Sequence, residues 1–289
     1  MIHILIIGEH SYIGTSYQKW MEQYPEHYQI DVVSSRNEAW KQIDFGKYDS
    51  VLHTAGIAHV EAKADMEQLY YNINRDLTIA CCQKAKADGA RQFTFLSSII
   101  VYGESKSLEP MIITKDTKPM PNGFYGQSKL EAEEGILPLE DKDFKVAVVR
   151  PPMIYGKGSK GNYPRLAKMA CTIPFFPGLK NKRSMLHIDN LCECLRLIMD
   201  KGEGGIFFPQ NKEYVETGEL VKQIAREHGK KMCIINMFNP FICILAKRIR
   251  LINKVFGTCI YDKTISDCFG GSYQVVDFKE SIRRTEYKD

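Results

Sequence analysis

The sequence predicts an α/β protein with a doubly wound parallel sheet and a smaller, partly helical lobe. Short, predominantly apolar runs such as Ile2–Ile7 and 146–149 recur along the first two-thirds of the chain, and strands that are buried on both faces have this composition. Helical patterns separate the runs, and the longest of them, about 66–88, stops at Gly89, as helices often do. This alternation is typical of a parallel sheet covered by helices on both faces.

The elements follow one another in a regular order as far as Pro152. Strands are expected at 2–7, 30–33, 51–54, 93–96 and 146–149, and helices at 12–24, 66–88 and from about 125 onwards. After Pro152, glycines and prolines mark loops, and a helix at about 189–199 is expected to return to the main sheet. We therefore expect one domain at 1–156 and a smaller lobe at 157–289, with 187–208 belonging to the first domain.

Length and composition indicate an ordinary globular protein. The chain has 289 residues, of which 44% are hydrophobic and 26% are charged, and this is enough for a sizeable core. The net charge of +4, without a long block of Lys and Arg, gives no support for nucleic-acid binding. Nine cysteines occur without a CxxC pair or a cysteine–histidine cluster at zinc spacing, so we expect reduced, buried thiols and no metal site.

No segment of the sequence has the length and composition of a membrane span. The chain begins with the strand-like run Ile2–Ile7, without a basic n-region or a cleavage site, so we expect a cytoplasmic protein without a signal peptide. The most apolar segment, 232–245, is interrupted by Asn236, Asn239 and Pro240 and is too short to cross a bilayer. A buried helix of the smaller lobe is the favoured interpretation, and an amphipathic surface helix is the alternative.

The first strand runs into a glycine-containing turn and then a helix, in the order I-L-I-I-G-E-H-S-Y-I-G. Gly8 permits a tight turn, and Gly14 permits close approach of helix and strand. The N–H groups at the start of the helix can bind a pyrophosphate. Ser11 replaces the middle glycine of the usual pattern, but a small hydroxyl still lets the backbone approach a phosphate and can donate a hydrogen bond. The segment predicts a dinucleotide site.

The end of the second predicted strand bears on which dinucleotide binds. A carboxylate there would hydrogen-bond a ribose 2′-hydroxyl, but the segment V-V-S-S-R has none. Arg36 and the serines before it, Ser35 among them, suit a 2′-phosphate instead. We therefore expect NADP or NAD as the cofactor, with NADP slightly favoured. A solvated surface charge is the alternative interpretation of Arg36.

The strongest chemical feature is Y-G-Q-S-K at 125–129. Tyr125 and Lys129 are four residues apart, so on a helix they share one face. An ammonium near a phenol lowers the tyrosine pKa from its usual value of about 10, and the phenol then exchanges protons near neutral pH. Ser98 follows a predicted strand, where ligands of open α/β sheets bind, and its hydroxyl can hold the same substrate oxygen. A packed tyrosine beside a solvated lysine is the alternative.

Together these segments resemble the extended short-chain dehydrogenase/reductase family of nucleotide-sugar epimerases, dehydratases and ketoreductases. The matching segments are I-I-G-E-H-S-Y-I-G, H-T-A-G-I-A-H-V, Y-N-I-N-R-D, F-L-S-S-I-I-V-Y-G, Y-G-Q-S-K, R-P-P-M-I-Y-G and R-S-M-L-H-I-D-N-L. The resemblance implies a Rossmann domain at 1–156 that binds the dinucleotide and a lobe at 157–289 that mainly binds the nucleotide-sugar substrate. It also makes a homodimer an expectation.

The resemblance assigns roles to particular residues. It implies a catalytic set formed by Ser98, Tyr125 and Lys129. It implies that Asn162 and Arg183 meet the diphosphate of the sugar nucleotide, and the fork of an arginine can bind phosphate oxygens bidentately. For Arg183, a surface charge is the alternative. Residues expected near the cofactor are Gly8, Ser11, Tyr12, Ile13, Gly14, Ser35, Arg36, Asp44, Phe45, Ala55, Gly56, Asn74, Lys129 and Pro152.

Three reactions of the family, namely dehydration, 4-epimerisation and 4-ketoreduction, would use the same set of Ser98, Tyr125 and Lys129. Ile99 and Ile100 follow Ser98 where the dehydratases of the family carry an Asp–Glu pair, so dehydration ranks low. A 4-epimerase acting on a UDP-hexose or UDP-N-acetylhexosamine is the favoured assignment. An NADPH-dependent 4-ketoreductase of a nucleotide-linked 4-keto-6-deoxysugar is the alternative, and a non-catalytic NADP-binding sensor is a distant one.

Overall fold

The computed structural model describes residues 1–58, 64–104 and 107–287. Its strands, in chain order, are β1 (Ile2–Ile7), β2 (Tyr28–Val33), β3 (Ser50–His53), β4 (Gln92–Leu96), β5 (Met111–Ile113), β6 (Lys145–Val149), β7 (Met153–Tyr155), β8 (Phe175–Pro177), β9 (Met185–His187), β10 (Gly205–Phe207), β11 (Cys233–Ile235) and β12 (Cys259–Tyr261).

The α-helices of the described residues lie between strands for the most part, although only 3₁₀ turns separate β2 from β3 and β4 from β5. They are α1 (Tyr12–Met21), α2 (Glu67–Tyr70), α3 (Leu77–Asp88), α4 (Phe124–Ile136), α5 (Asn162–Thr172), α6 (Ile188–Lys201), α7 (Thr217–Glu227), α8 (Asn239–Ala246), α9 (Arg250–Phe256) and α10 (Phe278–Glu286). A π-helical stretch, Tyr71–Asp76, joins α2 to α3. Gly89 ends α3 in the left-handed conformation, with φ 94°, which a glycine adopts without steric cost.

Six strands form one all-parallel sheet in the order β10-β6-β4-β3-β1-β2. Its central strands are apolar because both faces are covered: residues 4–7 of β1 and Val51 and Leu52 of β3 are fully buried. The strand order reverses direction at β1, where β2 lies on one side and β3 on the other. The predicted fold class, a doubly wound parallel sheet, is confirmed.

The two faces of the sheet are covered by different helices. On one face, Cys82 of α3 and Ala132 of α4 belong to a core cluster that also contains Phe93 of β4 and Val146 of β6. Towards the other side, the amide of Gln92 donates to a carbonyl of α6 at 3.0 Å. The hydroxyl of Tyr17 in α1 contacts the sulfur of Met199 in α6 at 3.2 Å. Helices α1 and α6 therefore pack together.

The described chain divides into two compact units. The first contains Met1–Gly103, Pro119–Pro151 and Leu191–Pro209, and the second contains Glu104–Lys118, Pro152–Asn190 and Gln210–Asp289. The segment Glu104–Lys118, which sequence analysis placed in the first domain, thus belongs to the second unit. In the second unit, three parallel strand pairs, β7-β9, β8-β11 and β5-β12, accompany the helices. Their core includes Tyr155, Phe176, Val221 and Ile282.

The expectation of a buried helix at 232–245 is wrong. The segment forms β11 and α8, and Ala246 is the only buried residue of α8. Phe241 and Ile244 are 67% and 65% exposed. None of the helices in the described residues is long and apolar enough to cross a membrane. The expectation of uniformly buried thiols is also too broad, because Cys233 and Cys243 are exposed.

Candidate active site

Ser98 and Tyr125 meet beyond the carboxyl end of β4. Ser98 follows this strand and caps the short 3₁₀ turn Ile99–Tyr102, where its hydroxyl accepts a hydrogen bond from the N–H of Ile100 at 3.3 Å. Tyr125 lies in the first turn of α4, and its phenol is hydrogen-bonded to the Ser98 side chain. The structure thus brings together two of the three residues that the resemblance assigned to catalysis.

The environment of Tyr125 makes it a weak acid. The ring of Tyr70 contacts it edge-on, with 5.9 Å between ring centroids. Burial raises the pKa of Tyr125 to about 12, and the hydrogen bond with Ser98 acts in the opposite direction but does not offset it. The expectation that Lys129 lowers this pKa is therefore wrong for the structure as it stands. Tyr125 rests as a neutral phenol, which is a proton donor.

Lys129 is buried one turn further along α4, and its amine is held by other groups. It is 5% exposed, and its Nζ donates to the carbonyl oxygen of Leu96 at 2.8 Å. The ring of Phe95 lies beneath the amine, 4.5 Å from Nζ to the centroid. Burial lowers the pKa of Lys129 to about 7, against a smaller opposing effect of the Glu133 carboxylate. The amine is therefore close to half-protonated at neutral pH, which weakens any pull on the Tyr125 phenol.

The loop after β3 lies against the Lys129 amine. A Cβ on Gly56 would be 3.2 Å from Nζ of Lys129 and 3.1 Å from Oδ1 of Asn74, so a side chain here would push these two groups aside by a few tenths of an ångström. Asn74, in the π-helical stretch, is fully buried. Its amide accepts from the N–H of Ile57 at 2.8 Å and donates to the Ile57 carbonyl and to the Ser128 hydroxyl, each at 3.2 Å. Asn74 therefore fixes the loop that carries Ala55 and Gly56 to α4.

A buried ion pair lies under the catalytic helix, and sequence analysis did not identify it. Glu133 follows Lys129 by one turn and is 1% exposed. Nε of Arg150 is 3.1 Å from both carboxylate oxygens, and the hydroxyl of Ser97 donates to the same group. Arg150 also donates to the Tyr102 hydroxyl at 2.7 Å. The pair joins the carboxyl ends of β4 and β6 to α4.

The glycine turn after β1 is built around Ser11. The hydroxyl of Ser11 accepts from the N–H of Gly14 at 2.9 Å and donates to Oγ1 of Thr54 at 2.6 Å. A Cβ on Gly8 would come within 2.7 Å of Thr54, and a Cβ on Gly14 within 2.6 Å of Ser11. The packing therefore excludes side chains at both positions and brings the start of α1 close to β1 and β3.

This geometry makes the backbone amides at the start of α1 candidates for binding a phosphate. The Ser11 hydroxyl donates to Thr54, so its proton is engaged within the protein. The amides of Tyr12 and Ile13 lie in the same first turn of α1, where the helix dipole is positive. The turn fits a dinucleotide pyrophosphate, because the Gly8 and Gly14 contacts give the close packing that this function needs.

Ser35 and Arg36 follow β2 at the carboxyl edge of the sheet, beside β1. Arg36 is exposed, its N–H donates to the Ser34 hydroxyl at 3.4 Å, and among the described residues it forms no ion pair. The last two residues of H-T-A-G-I-A-H-V, His59 and Val60, lie outside the described residues. The contribution of Arg36 to binding a 2′-phosphate stays a prediction.

Asp44 and Phe45 lie elsewhere. The Asp44 side chain caps the N–H of Gly46, and Phe45 is fully buried in the core. The N–H of Phe45 donates to the carboxylate of Asp88, at the end of α3, at 2.8 Å. Because α3 ends where the chain enters the amino end of β4, this contact places both residues near the sheet edge opposite the glycine turn. The structure therefore does not bring these two residues to the glycine turn.

The residues expected to bind substrate phosphate or to complete the cofactor site lie in the second unit. Asn162 is the exposed first residue of α5, and Pro152 is buried just before β7. Arg183 is anchored: its Nη1 donates to the carbonyls of Lys254 at 2.7 Å and Gly257 at 3.2 Å. Burial lowers the pKa of Arg183, and among the described residues no carboxylate pairs with it. Such a guanidinium can accept an anionic ligand.

Comparison with known proteins identifies the family. The model of the NAD dependent epimerase/dehydratase family matches residues 4–208. A UDP-glucose 4-epimerase of Vibrio cholerae is 33% identical over 233 residues, which cover 78% of this chain and 67% of that protein. The chain belongs to the NAD-dependent epimerase/dehydratase family. The expected family resemblance and an NAD(P)-dependent enzyme are thereby confirmed.

Two further proteins show the range of the likeness. An N-acetyl-α-D-glucosaminyl-diphospho-ditrans,octacis-undecaprenol 4-epimerase of Escherichia coli O157:H7 is 23% identical over 278 residues, covering 88% of this chain and 81% of that protein. A solved dTDP-4-dehydrorhamnose reductase of Bacillus anthracis, in complex with NADP, has a TM-score of 0.74 at 17% identity and covers 99% of this chain and 98% of that one. At this identity, the likeness to the reductase structure shows a similar fold and no more.

The Glu133–Arg150 pair predicts an asymmetric effect of two neighbouring substitutions. Glu133→Gln leaves Arg150 buried without its counter-charge and is expected to lower the free energy of unfolding by about 3–5 kcal/mol. Glu131→Gln removes a carboxylate whose partner Arg75 is 32% exposed and should cost less than about 1 kcal/mol. Urea unfolding of both variants measures the difference, and equal costs would contradict a buried, paired role for Glu133.

The burial of Lys129 predicts a particular dependence of stability on pH. Between about pH 7 and 10.5 the unfolded chain binds a proton at Lys129 that the folded chain does not, so folding gains stability as the pH rises through this window. Relative to Lys129→Met, the wild type should gain roughly 3–4 kcal/mol of unfolding free energy between pH 7 and pH 10. Urea unfolding at both values tests this, with Lys142→Met as the exposed-lysine control. A gap between wild type and Lys129→Met that does not change with pH would refute the burial of the charge.

Proposed function

We propose that the chain is a nucleotide-sugar 4-epimerase that acts on a UDP-hexose or UDP-N-acetylhexosamine by hydride transfer at C4. The observation that carries the proposal is the 33% identity with a UDP-glucose 4-epimerase over 78% of this chain. The contact between Ser98 and Tyr125 supports it, since a hydroxyl and a phenol can share one substrate oxygen. Ile99 and Ile100 after Ser98 supply no acid or base for a dehydration.

Different residues of the first unit would transfer the proton, stabilise the developing charge and bind the cofactor. A bound nicotinamide supplies reversible hydride exchange with the sugar carbon. Tyr125 takes the proton from O4 as the phenolate and returns it as the phenol, while the Ser98 hydroxyl hydrogen-bonds the same oxygen and stabilises the developing charge. Lys129 lies beside Gly56, where it can bind the nicotinamide ribose. The amides of Tyr12 and Ile13 would hold the pyrophosphate.

The proposed substrate carries a diphosphate, and the second unit offers a group for it. Arg183 has its position fixed by two carbonyls and lacks a carboxylate partner among the described residues. A diphosphate would supply the missing negative charge, with the planar guanidinium binding its oxygens. We include Asn162, at the start of α5, in the same role. Both relatives named above act, by their names, on sugars linked through a diphosphate.

A 4-ketoreductase is the second candidate, and one observation favours it. The pKa of Tyr125 is raised to about 12 by burial, so the resting phenol is ready to donate a proton to a ketone oxygen. An epimerase needs the phenol first as an acceptor, which requires a further influence that lowers this pKa once ligands are bound. Arg36 is consistent with a reductase, because consumed reductant is commonly NADPH. Retention of both Tyr125 and Lys129 speaks against a non-catalytic sensor.

Incubation with a panel of UDP- and dTDP-sugars, with and without NADPH, separates these functions. The epimerase should interconvert the C4 epimers of a UDP-sugar with catalytic cofactor and without net change in nicotinamide absorbance. Stoichiometric loss of that absorbance with a 4-keto-sugar would reassign the chain as a reductase. If no member of the panel is turned over, the chain would be interpreted as a non-catalytic NADP-binding sensor.

Tyr125→Phe tests the proton relay within this proposal. Removal of the phenol hydroxyl should lower kcat by about 10²–10⁴-fold, while cofactor affinity stays within about twofold because the ring and Lys129 remain. Tyr48→Phe is the matched control, since its hydroxyl bonds Asp31 at the surface and its loss should leave kcat unchanged. Undiminished kcat in Tyr125→Phe would remove Tyr125 from the chemistry.

Arg36→Ala tests cofactor preference. We propose that NADP is favoured because a guanidinium follows β2 where an acid would select NAD. The variant should bind NADP about tenfold more weakly, the equivalent of one charge-assisted hydrogen bond, and should bind NAD as before. Titration of both cofactors by fluorescence measures this, with Arg91→Ala as the exposed-arginine control. Equal affinity of the wild type for both cofactors would contradict the proposed preference.

A further inference from the structure

An apolar surface on the second unit is left exposed around α8. We define the 237–251 surface by its exposed side chains: Met237, Phe238, Phe241, Ile244, Leu245, Ile249 and Leu251. The most exposed of them, Met237, is 72% accessible. Exposed single hydrophobic residues are ordinary, but seven of them within residues 237–251 indicate an interaction surface.

Helix α8 is apolar on both of its faces. Ala246 is buried, and Ile242 packs against the core of the second unit. Phe241, Ile244 and Leu245 follow the spacing i, i+3, i+4, so they share the opposite face. A helix that is apolar all round is ordinarily covered on all sides. The outward face of α8 therefore calls for an apolar partner.

The segment that carries this surface is rich in basic residues, of which Lys254 pairs with Glu104 at 2.9 Å. Residues 228–261 contain six Lys and Arg and no Asp or Glu, a larger positive charge than the +4 of the whole chain. The rest of the protein is therefore net negative. Lys247 and Arg248, which follow α8, are exposed, and among the described residues no carboxylate pairs with them. The apolar face is thus bordered by cations that are available to an anionic partner.

We propose that the 237–251 surface docks on an anionic phospholipid bilayer, with Phe241, Ile244 and Leu245 in the acyl boundary and Lys247 and Arg248 at the headgroups. An apolar helix face bordered by lysine and arginine is the pattern of helices that lie in the membrane interface. A second copy fits poorly: a symmetric contact would bring Lys247 and Arg248, which pair with no carboxylate among the described residues, close to the same cations of the other copy.

Co-sedimentation of the full chain with vesicles tests the proposal without cofactor or substrate. The wild type should sediment with phosphatidylcholine vesicles that contain one-third phosphatidylglycerol, and much less with phosphatidylcholine alone. Raised salt should weaken the binding, because headgroup attraction is screened. Phe241→Ser with Ile244→Ser should weaken it at least about tenfold. Lys247→Gln with Arg248→Gln should weaken it about 25-fold, at about fivefold per charge.

Two controls match these variants. Met120→Ser removes an apolar side chain that is 77% exposed in the first unit, and Lys142→Gln removes a lysine that is 88% exposed there. Both should bind vesicles as the wild type does. Thermal unfolding should be unchanged in every variant, because each substituted side chain is at the surface.

Several outcomes would overturn the proposal. They are failure of the wild type to sediment with anionic vesicles, equal binding to neutral vesicles, and binding by both surface variants that matches the wild type. A dimer in sedimentation velocity that Phe241→Ser with Ile244→Ser dissociates, without vesicle binding, would identify a second copy as the occupant. Sugar turnover is measured separately, so loss of this proposal leaves the proposed function intact.

Discussion

The arrangement of the first unit depends on the burial of one amine, that of Lys129. Its Nζ is 2.8 Å from the Leu96 carbonyl at the end of β4 and lies against Gly56 in the loop after β3. A buried ammonium is costly, and the cost is met by this carbonyl, by the Phe95 ring and by the Glu133 carboxylate one turn away. The amine therefore joins two strand ends to α4, and Tyr125 is placed by the same helix.

The phenol and the amine are consequently tuned by different neighbours. Burial raises the pKa of Tyr125, and the hydrogen bond with Ser98 acts against it without offsetting it. Lys129 shares the helix face but directs its amine to the backbone of β4. A donor phenol beside a partly neutral amine suits protonation of a ketone directly. Abstraction of a proton from O4 requires that bound ligands strengthen the positive field near the phenol.

The sequence predicted those parts of the fold that follow from local pattern. The apolar run Ile2–Ile7 forms β1, and Gly89 ends α3. Prediction from the sequence failed where contacts between distant parts of the chain determine the position of a residue. Phe45 is buried, and its N–H donates to Asp88, 43 residues away. Glu133 pairs with Arg150, 17 residues away on another element, and no local pattern indicates such a contact. The apolar composition of 232–245 favoured a place in the interior, but composition carries no information about which other segments cover a helix.

The ionisation of Lys129 itself tests this account most directly. In a protein labelled with ¹³C at the lysine ε-carbon, the Lys129 resonance is assigned by its disappearance in Lys129→Met and followed as the pH is raised. The account predicts a midpoint near pH 7, well below the value of about 10.4 for a solvated lysine. A midpoint at the solvated value would mean that the amine is not buried between β3, β4 and α4, and the proposed arrangement of the site would be contradicted.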